Sequence, residues 1–175
     1  MAAVQDIKMD SFEDLAAYRV KRLARQADMM LKMTTKPLDS DVDALFRNYA
    51  SVLTVSALIG YATGSFIKDF GMGKKQPMGE SVQRQFFQQD QLRLIDLLAY
   101  AHTKEPTIIR RTQKYDIFSA YAAAGFDILC ERLDAAHRDW TNTQEVVACG
   151  KLLAEWYLKG AESLSVLNDI QEIPL

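Results

Sequence analysis

Apolar residues return every three to four positions along most of this chain, and that period divides it into helices. The first is announced by Ser11-Phe-Glu-Asp14, where a serine cap is followed three residues on by an acid. Leu15, Tyr18, Leu23, Ala27, Met30 and Leu31 then recur at helical spacing, which predicts a helix over about 12–34. Thr34-Thr-Lys-Pro-Leu-Asp-Ser40 reads as a turn, because Pro37 disfavours helix in the residue before it and Asp39 or Ser40 can cap the next helix. That second helix is expected from near Asp41, with Asp41 and Asp43 at its positive dipole end. Its apolar stripe of Leu45, Tyr49, Val52, Leu53, Ser56, Ala57 and Gly60 is wide enough to imply burial on more than one side.

From Ala62 to Gln89 the period loosens around Gly64, Gly71, Gly73, Pro77 and Gly79. A third helix fits Asp90–Ala101, and Pro106 restarts a short turn or helix through Arg111. Thr112 is placed to cap a fourth helix over about 113–136, and a last long helix opens after Thr141-Asn-Thr143. Residues 1–11 and 169–175 are expected to be flexible or draped on the surface. The expected fold is all-α: one compact domain over 1–175, with five main helices, short extra helical turns and no sustained heptad.

Two stretches dominate this pattern, Tyr49–Tyr61 and Tyr115–Leu129, each crowded with small residues and each holding a glycine. They predict a paired centre. Gly60 costs about 1 kcal/mol against alanine inside a helix, so its expected use is either close helix contact or termination near Tyr61. Gly125 is the matching point on the second stretch.

Composition adds bounds: 175 residues, 49% hydrophobic and 25% charged, suit one domain with a sizeable core. The longest apolar run, Val52–Phe66, is too polar and too short for a membrane span of about 20 residues. The first ten residues lack a basic stretch followed by an apolar one, so a cytoplasmic location without membrane association is expected. Cys130 and Cys149 lie among apolar neighbours in helical patterns and read as buried thiols, with a disulfide the less usual alternative. Together with His102 and His137 they fit no zinc-ligand spacing, and no metal or cofactor is expected.

Charge is unevenly laid out although the total is only −2. Residues 1–36 hold seven basic and five acidic side chains, 68–114 hold nine and five, and 131–175 hold four and eight. If the two basic segments share a face, they favour a polyanion such as a DNA or RNA backbone. The candidate contacts are Lys74, Lys75, Arg84, Arg93, Arg110, Arg111 and Lys114. Arg19, Arg22 and Arg25, flanked by Lys21 and Lys32 on the first helix, are candidates for docking a partner. The near-neutral sum argues against strong DNA binding by the chain alone, which rests on several phosphate neutralisations.

Catalytic furniture is sparse. Gly71-Met-Gly-Lys-Lys75 invites comparison with a phosphate loop, but Lys68 and Lys75 stand where that motif needs a glycine and a hydroxyl residue. His102 is expected to cap the end of the third helix, and His137 to lie on the surface. Tyr49, Ser56, Tyr61, Tyr115 and Tyr121 are expected to satisfy backbone carbonyls, since none has a histidine at helical spacing. No catalytic residue is assigned, and the chain is read as a non-enzyme.

Tyr49-Ala-Ser-Val-Leu-Thr-Val-Ser-Ala-Leu-Ile-Gly-Tyr61, a glycine- and lysine-bearing connector, Leu94-Ile-Asp-Leu-Leu-Ala99, and Ile117-Phe-Ser-Ala-Tyr-Ala-Ala-Ala-Gly-Phe-Asp-Ile-Leu129 succeed one another in an order that resembles a bacterial family. It is the small helical proteins associated with DNA phosphorothioation (Dnd) systems, and the likeness covers roughly residues 40–135. The resemblance implies an accessory role beside DNA-modifying and DNA-restricting machinery, in defence against foreign DNA, with protein partners and no transferable catalytic residues. Competing readings are a small helical subunit of a CRISPR effector complex, a homodimeric scaffold or adaptor, and an unrecognised hydrolase.

Overall fold

The computed structural model describes residues 9–38, 40–70 and 78–169, with side chains through residue 159. Helices α1 (Phe12–Ala17), α2 (Ala27–Thr34), α3 (Tyr49–Ala62), α4 (Gln89–Thr103), α5 (Gln113–Leu133) and α6 (Thr143–Asp169) account for most of them. Two short strands, β1 (Arg19–Val20) and β2 (Val82–Gln83), pair antiparallel, with Arg19 opposite Gln83 and Val20 opposite Val82. The mostly helical architecture is the one the sequence predicts.

Helix α5 is the spine. Thirteen of its 21 residues are buried, which its alanines and aromatics allow on every side. Helix α3 crosses it antiparallel, with Gly60 against the Tyr121 carbonyl and Ser56 against Gly125. A Cβ at Gly125 would overlap the Ser56 carbonyl oxygen, and one at Gly60 would overlap that of Tyr121. Close approach is therefore what both glycines supply, and Gly60 does not end its helix: α3 runs on to Ala62, and the chain turns at Gly64 with φ +66°. Ala50, Ala57, Ala122 and Ala123 are fully buried nearby. Helix α4 lies along the first half of α5, tied by Lys114 to Asp96 and by His102 to Tyr121.

The expected helix over 12–34 is not continuous. Ser11 caps α1 as predicted, with Asp14 completing a capping box, but Tyr18 is extended (φ −69°, ψ 149°) and the chain stays open through Leu23. Strand pairing wins there: Val20 is buried beside Val82, and the Lys21 amide donates to Ser119 Oγ at 3.0 Å. Helical structure resumes at Ala24–Gln26 as a 3-10 turn leading into α2, whose Met30 and Met33 are fully buried.

The second helix begins at Tyr49, not near Asp41. Asn48 caps it by accepting from the Ser51 amide at 2.9 Å, and residues 41–48 form bends anchored by the Phe46 amide on the Met33 carbonyl at 3.0 Å. Asp41 and Asp43 lie ahead of that cap, so their expected place in the first turn is corrected too. Helix α4 starts and stops within two residues of expectation, and Pro106–Arg110 forms a 3-10 turn with Pro106 at its start. Thr112 precedes α5 but does not cap it: its amide and hydroxyl both donate to Asp10. The fourth predicted helix closes at Leu133, where Asp134 takes φ +51°.

Candidate interaction surfaces

Three of the cations singled out in the sequence, Arg22, Arg25 and Lys114, are occupied within the fold. Arg22 is 5% exposed; its Nε donates to the Glu80 carbonyl at 2.8 Å and its guanidinium lies over the Tyr49 ring at 4.5 Å. Arg25 grips both Asp127 oxygens, at 2.8 and 2.6 Å, and Gln26 adds a bond to the same carboxylate. Burial pushes the Asp127 carboxyl up, but the bonds from Arg25 and Gln26 outweigh it and hold the group below its ordinary value. Lys21 reaches Asp116 at 2.9 Å and Tyr18 at 3.0 Å, and Lys32 pairs with Asp28 one turn away. Arg19, Arg22 and Arg25 thus do not share a helix flank.

The second basic group divides in the same way. Lys114 is buried, donating to Asp96 at 2.7 Å and to the Ile109 carbonyl at 2.8 Å. Arg93 is exposed and only loosely paired, 3.5 Å from Asp90. Arg84, Arg110 and Arg111 form no ion pair among the described residues, although Arg111 Nε is buried and unpartnered. Lys74 and Lys75 lie outside the described residues, as does the glycine–lysine segment around them. The pairing of β1 with β2 does bring the two basic segments together, setting Arg19 opposite Gln83, the residue before Arg84.

Groups with reactive potential serve packing. His102 does not cap α4, whose end is closed by Lys104 at φ +60°. Its Nδ1 instead lies 2.9 Å from the Tyr121 hydroxyl, and its ring stacks on Phe66 at 4.7 Å. Burial raises the Tyr121 hydroxyl, which therefore stays protonated at neutral pH. His137 is exposed, as expected, and its bond to Asp134 raises its pKa. Tyr115 bonds the Leu15 carbonyl, but the buried Ser56 Oγ has no partner, contrary to expectation. Cys149 is buried and Cys130 half-buried; both are free, and burial pushes the Cys130 thiol up to about 11. No cluster of metal-ligating side chains and no helix long and apolar enough to cross a membrane occurs among the described residues.

Apolar side chains are also left uncovered. Leu97 and Tyr100 on α4 face Pro106 and Ile109 across an open groove of about 420 Å³, edged by Arg93 and floored by Asp96. Leu97 is 63% exposed, although it sits one residue from the buried Leu98. No periodic pattern in 90–111 announces this groove: Leu97 falls outside the face that α4 buries through Ile95, Leu98 and Ala99, and Ile109 lies on a separate turn. The available signal is the doubled apolar residue at each place, Leu97 next to Leu98 and Ile109 next to Ile108, of which the helical turn there buries only one. A second apolar exposure lies on α6 at Leu152, Tyr157 and Leu158, beyond Trp156, which the Arg132 guanidinium covers at 5.4 Å.

No curated protein and no solved structure matches the chain. A family model does, that of DNA sulphur modification system-associated protein 4, across residues 19–150, a stretch that takes in β1 through the first turns of α6 and so includes both the glycine-locked α3–α5 crossing and the groove. On that match the chain belongs to the family of DNA sulphur modification system-associated protein 4.

Proposed function

We propose that this chain is a non-catalytic accessory subunit of a DNA sulphur modification system, working in defence against foreign DNA and recruited through contacts with a protein partner. The observation that carries this reading is the apolar groove left open between α4 and the Pro106–Arg110 turn, beside a set of cations only partly engaged within the fold. Lys21, Arg22, Arg25, Lys32 and Lys114 are engaged within the chain. Leu97, Tyr100 and Ile109 stand open beside one another. Polyanion binding draws on several free cations at once, whereas protein association draws on apolar area held in a fixed shape.

Contact with a nucleic-acid backbone is a second reading, favoured by the strand pairing of the two basic segments and by Arg84, Arg110 and Arg111, which form no ion pair among the described residues. Affinity purification of the tagged full-length chain from its native host at low salt separates the two. With nuclease treatment, co-purification of proteins encoded by neighbouring DNA sulphur modification genes is expected to persist. Loss of every such protein on nuclease treatment would transfer the role to nucleic acid.

A further inference from the structure

We infer that the groove between α4 and the Pro106–Arg110 turn is the docking site for an amphipathic segment of a partner protein, one that carries apolar anchors flanked by acidic residues. The inference rests on the accessory-subunit reading and names the surface and the partner chemistry for it. Three observations specify the occupant. First, the walls are apolar side chains standing in solvent: Leu97 is 63%, Tyr100 44% and Ile109 43% exposed. Second, these walls are rigid, because each adjoins a buried anchor, Leu98 and Ala99 on α4 and Ile108 on the turn, and because the Lys114 ammonium clamps the two elements by bonding both Asp96 and the Ile109 carbonyl. A preformed apolar groove between helical elements is the geometry that accepts the apolar face of a short helix, read through anchors spaced three or four residues apart.

Third, the charge around it is complementary to acid. The carboxylate on the floor, Asp96, is already matched by Lys114 at 2.7 Å. On the rim, Arg93 is 70% exposed and has only the distant and itself 93% exposed Asp90 for a partner, an ion pair of little worth in water. Arg110 comes directly after Ile109 and is exposed; Lys104 at the end of α4 is offset by the exposed Glu105 that follows it, so the positive rim rests on Arg93 and Arg110. An acidic flank on the occupant would meet these cations without displacing any bond the fold needs. A basic flank would meet repulsion, and an entirely apolar segment would leave the rim unmatched.

The test places a photo-crosslinking p-benzoylphenylalanine at Leu97 in the full-length chain, expressed in the native host and irradiated before purification under nuclease treatment. The expected product is a crosslink to a protein encoded beside the DNA sulphur modification genes, within a segment holding apolar residues and two or more acids. Leu97→Asp and, separately, Ile109→Asp are expected to lower recovery of that protein at least tenfold while leaving the thermal unfolding midpoint unchanged. Arg93→Glu with Arg110→Glu is expected to lower it severalfold and to flatten its salt dependence. A crosslink to a second copy of this chain, to nucleic acid or to a basic segment would overturn the inference. So would full partner recovery by both aspartate variants, an outcome that leaves the accessory reading standing. If the unmodified chain recovers no such protein under nuclease, it is the accessory reading that falls, and this inference with it.

Discussion

Helices α3 and α4 both pack on α5, yet they meet it in opposite ways. At the α3 crossing nothing larger than hydrogen fits at Gly125, and Ala50, Ala57, Ala122 and Ala123 complete a dry contact. At α4 the contact is made by one face only, through Ile95, Leu98 and Ala99, with a polar clamp at Lys114 and Asp96, and the outer face keeps Leu97 and Tyr100 in solvent. The first crossing is itself closed, and the apolar Leu58 and Tyr61 that α3 keeps in solvent do not line the groove. The second is held firmly enough to keep its shape while leaving apolar area unspent. The difference separates what folds this chain from what it presents to others.

Substitutions at the two regions should therefore differ in kind. Gly125→Leu sharpens the contrast most: forcing a side chain into the Ser56 carbonyl should cost upwards of about 3 kcal/mol or abolish cooperative unfolding in urea. Retention of wild-type stability would show that α3 and α5 do not meet there. Lys114→Ala comes next, since it frees Asp96 and orphans the Ile109 carbonyl; the pair is only partly shielded, so a loss of about 1–2 kcal/mol in chemical denaturation is expected.

A smaller effect belongs to the link between the Ala24–Gln26 turn and α5. The folded Asp127 carboxyl lies below its unfolded value, so its ion pair stabilises the fold above the ordinary carboxylate range and that contribution is lost as pH falls through the folded pKa. Asp127→Asn is expected to be less stable than wild type at neutral pH by under about 1 kcal/mol, because the pair is substantially exposed. The gap should close in acid; a pH-independent difference in unfolding midpoint would assign the effect to packing instead. Leu97→Asp should change stability least, within about 0.5 kcal/mol, because its site is already wet. A large stability loss there would mean that the groove is part of the core.

The paired centre is legible in sequence because a glycine amid small residues in an apolar helix has few uses besides close approach. The break after Ala17 is not. Leu15, Tyr18 and Leu23 fit a helical period, while Val20 turns inward on β1 and Arg22 on the irregular segment after it; the decision lies with Val82, far along the chain, and no local pattern announces it. The late start of α3 is legible only afterwards: Asn48 is no better a cap than Asp39, Ser40 or Asp41, and the apolar Leu45 and Phe46 extend the stripe backwards and disguise it. The fate of the cations was hidden for the same reason as the strand. Arg25, Lys21 and Lys114 are counted as free charge in a linear reading, and their neutralising partners Asp127, Asp116 and Asp96 come from other elements. The groove needs both facts at once, since it is built by two elements and defined by what does not cover it.

The claim that this chain is held through its α4 face is tested most directly by amide hydrogen exchange, measured on the isolated chain and on the chain within its nuclease-treated native complex. Protection is expected to rise over residues 93–110 on assembly, with the α3–α5 crossing unchanged because it is already closed. New protection confined to residues 19–25 and 82–84, with 93–110 exchanging as in the free chain, would contradict the account.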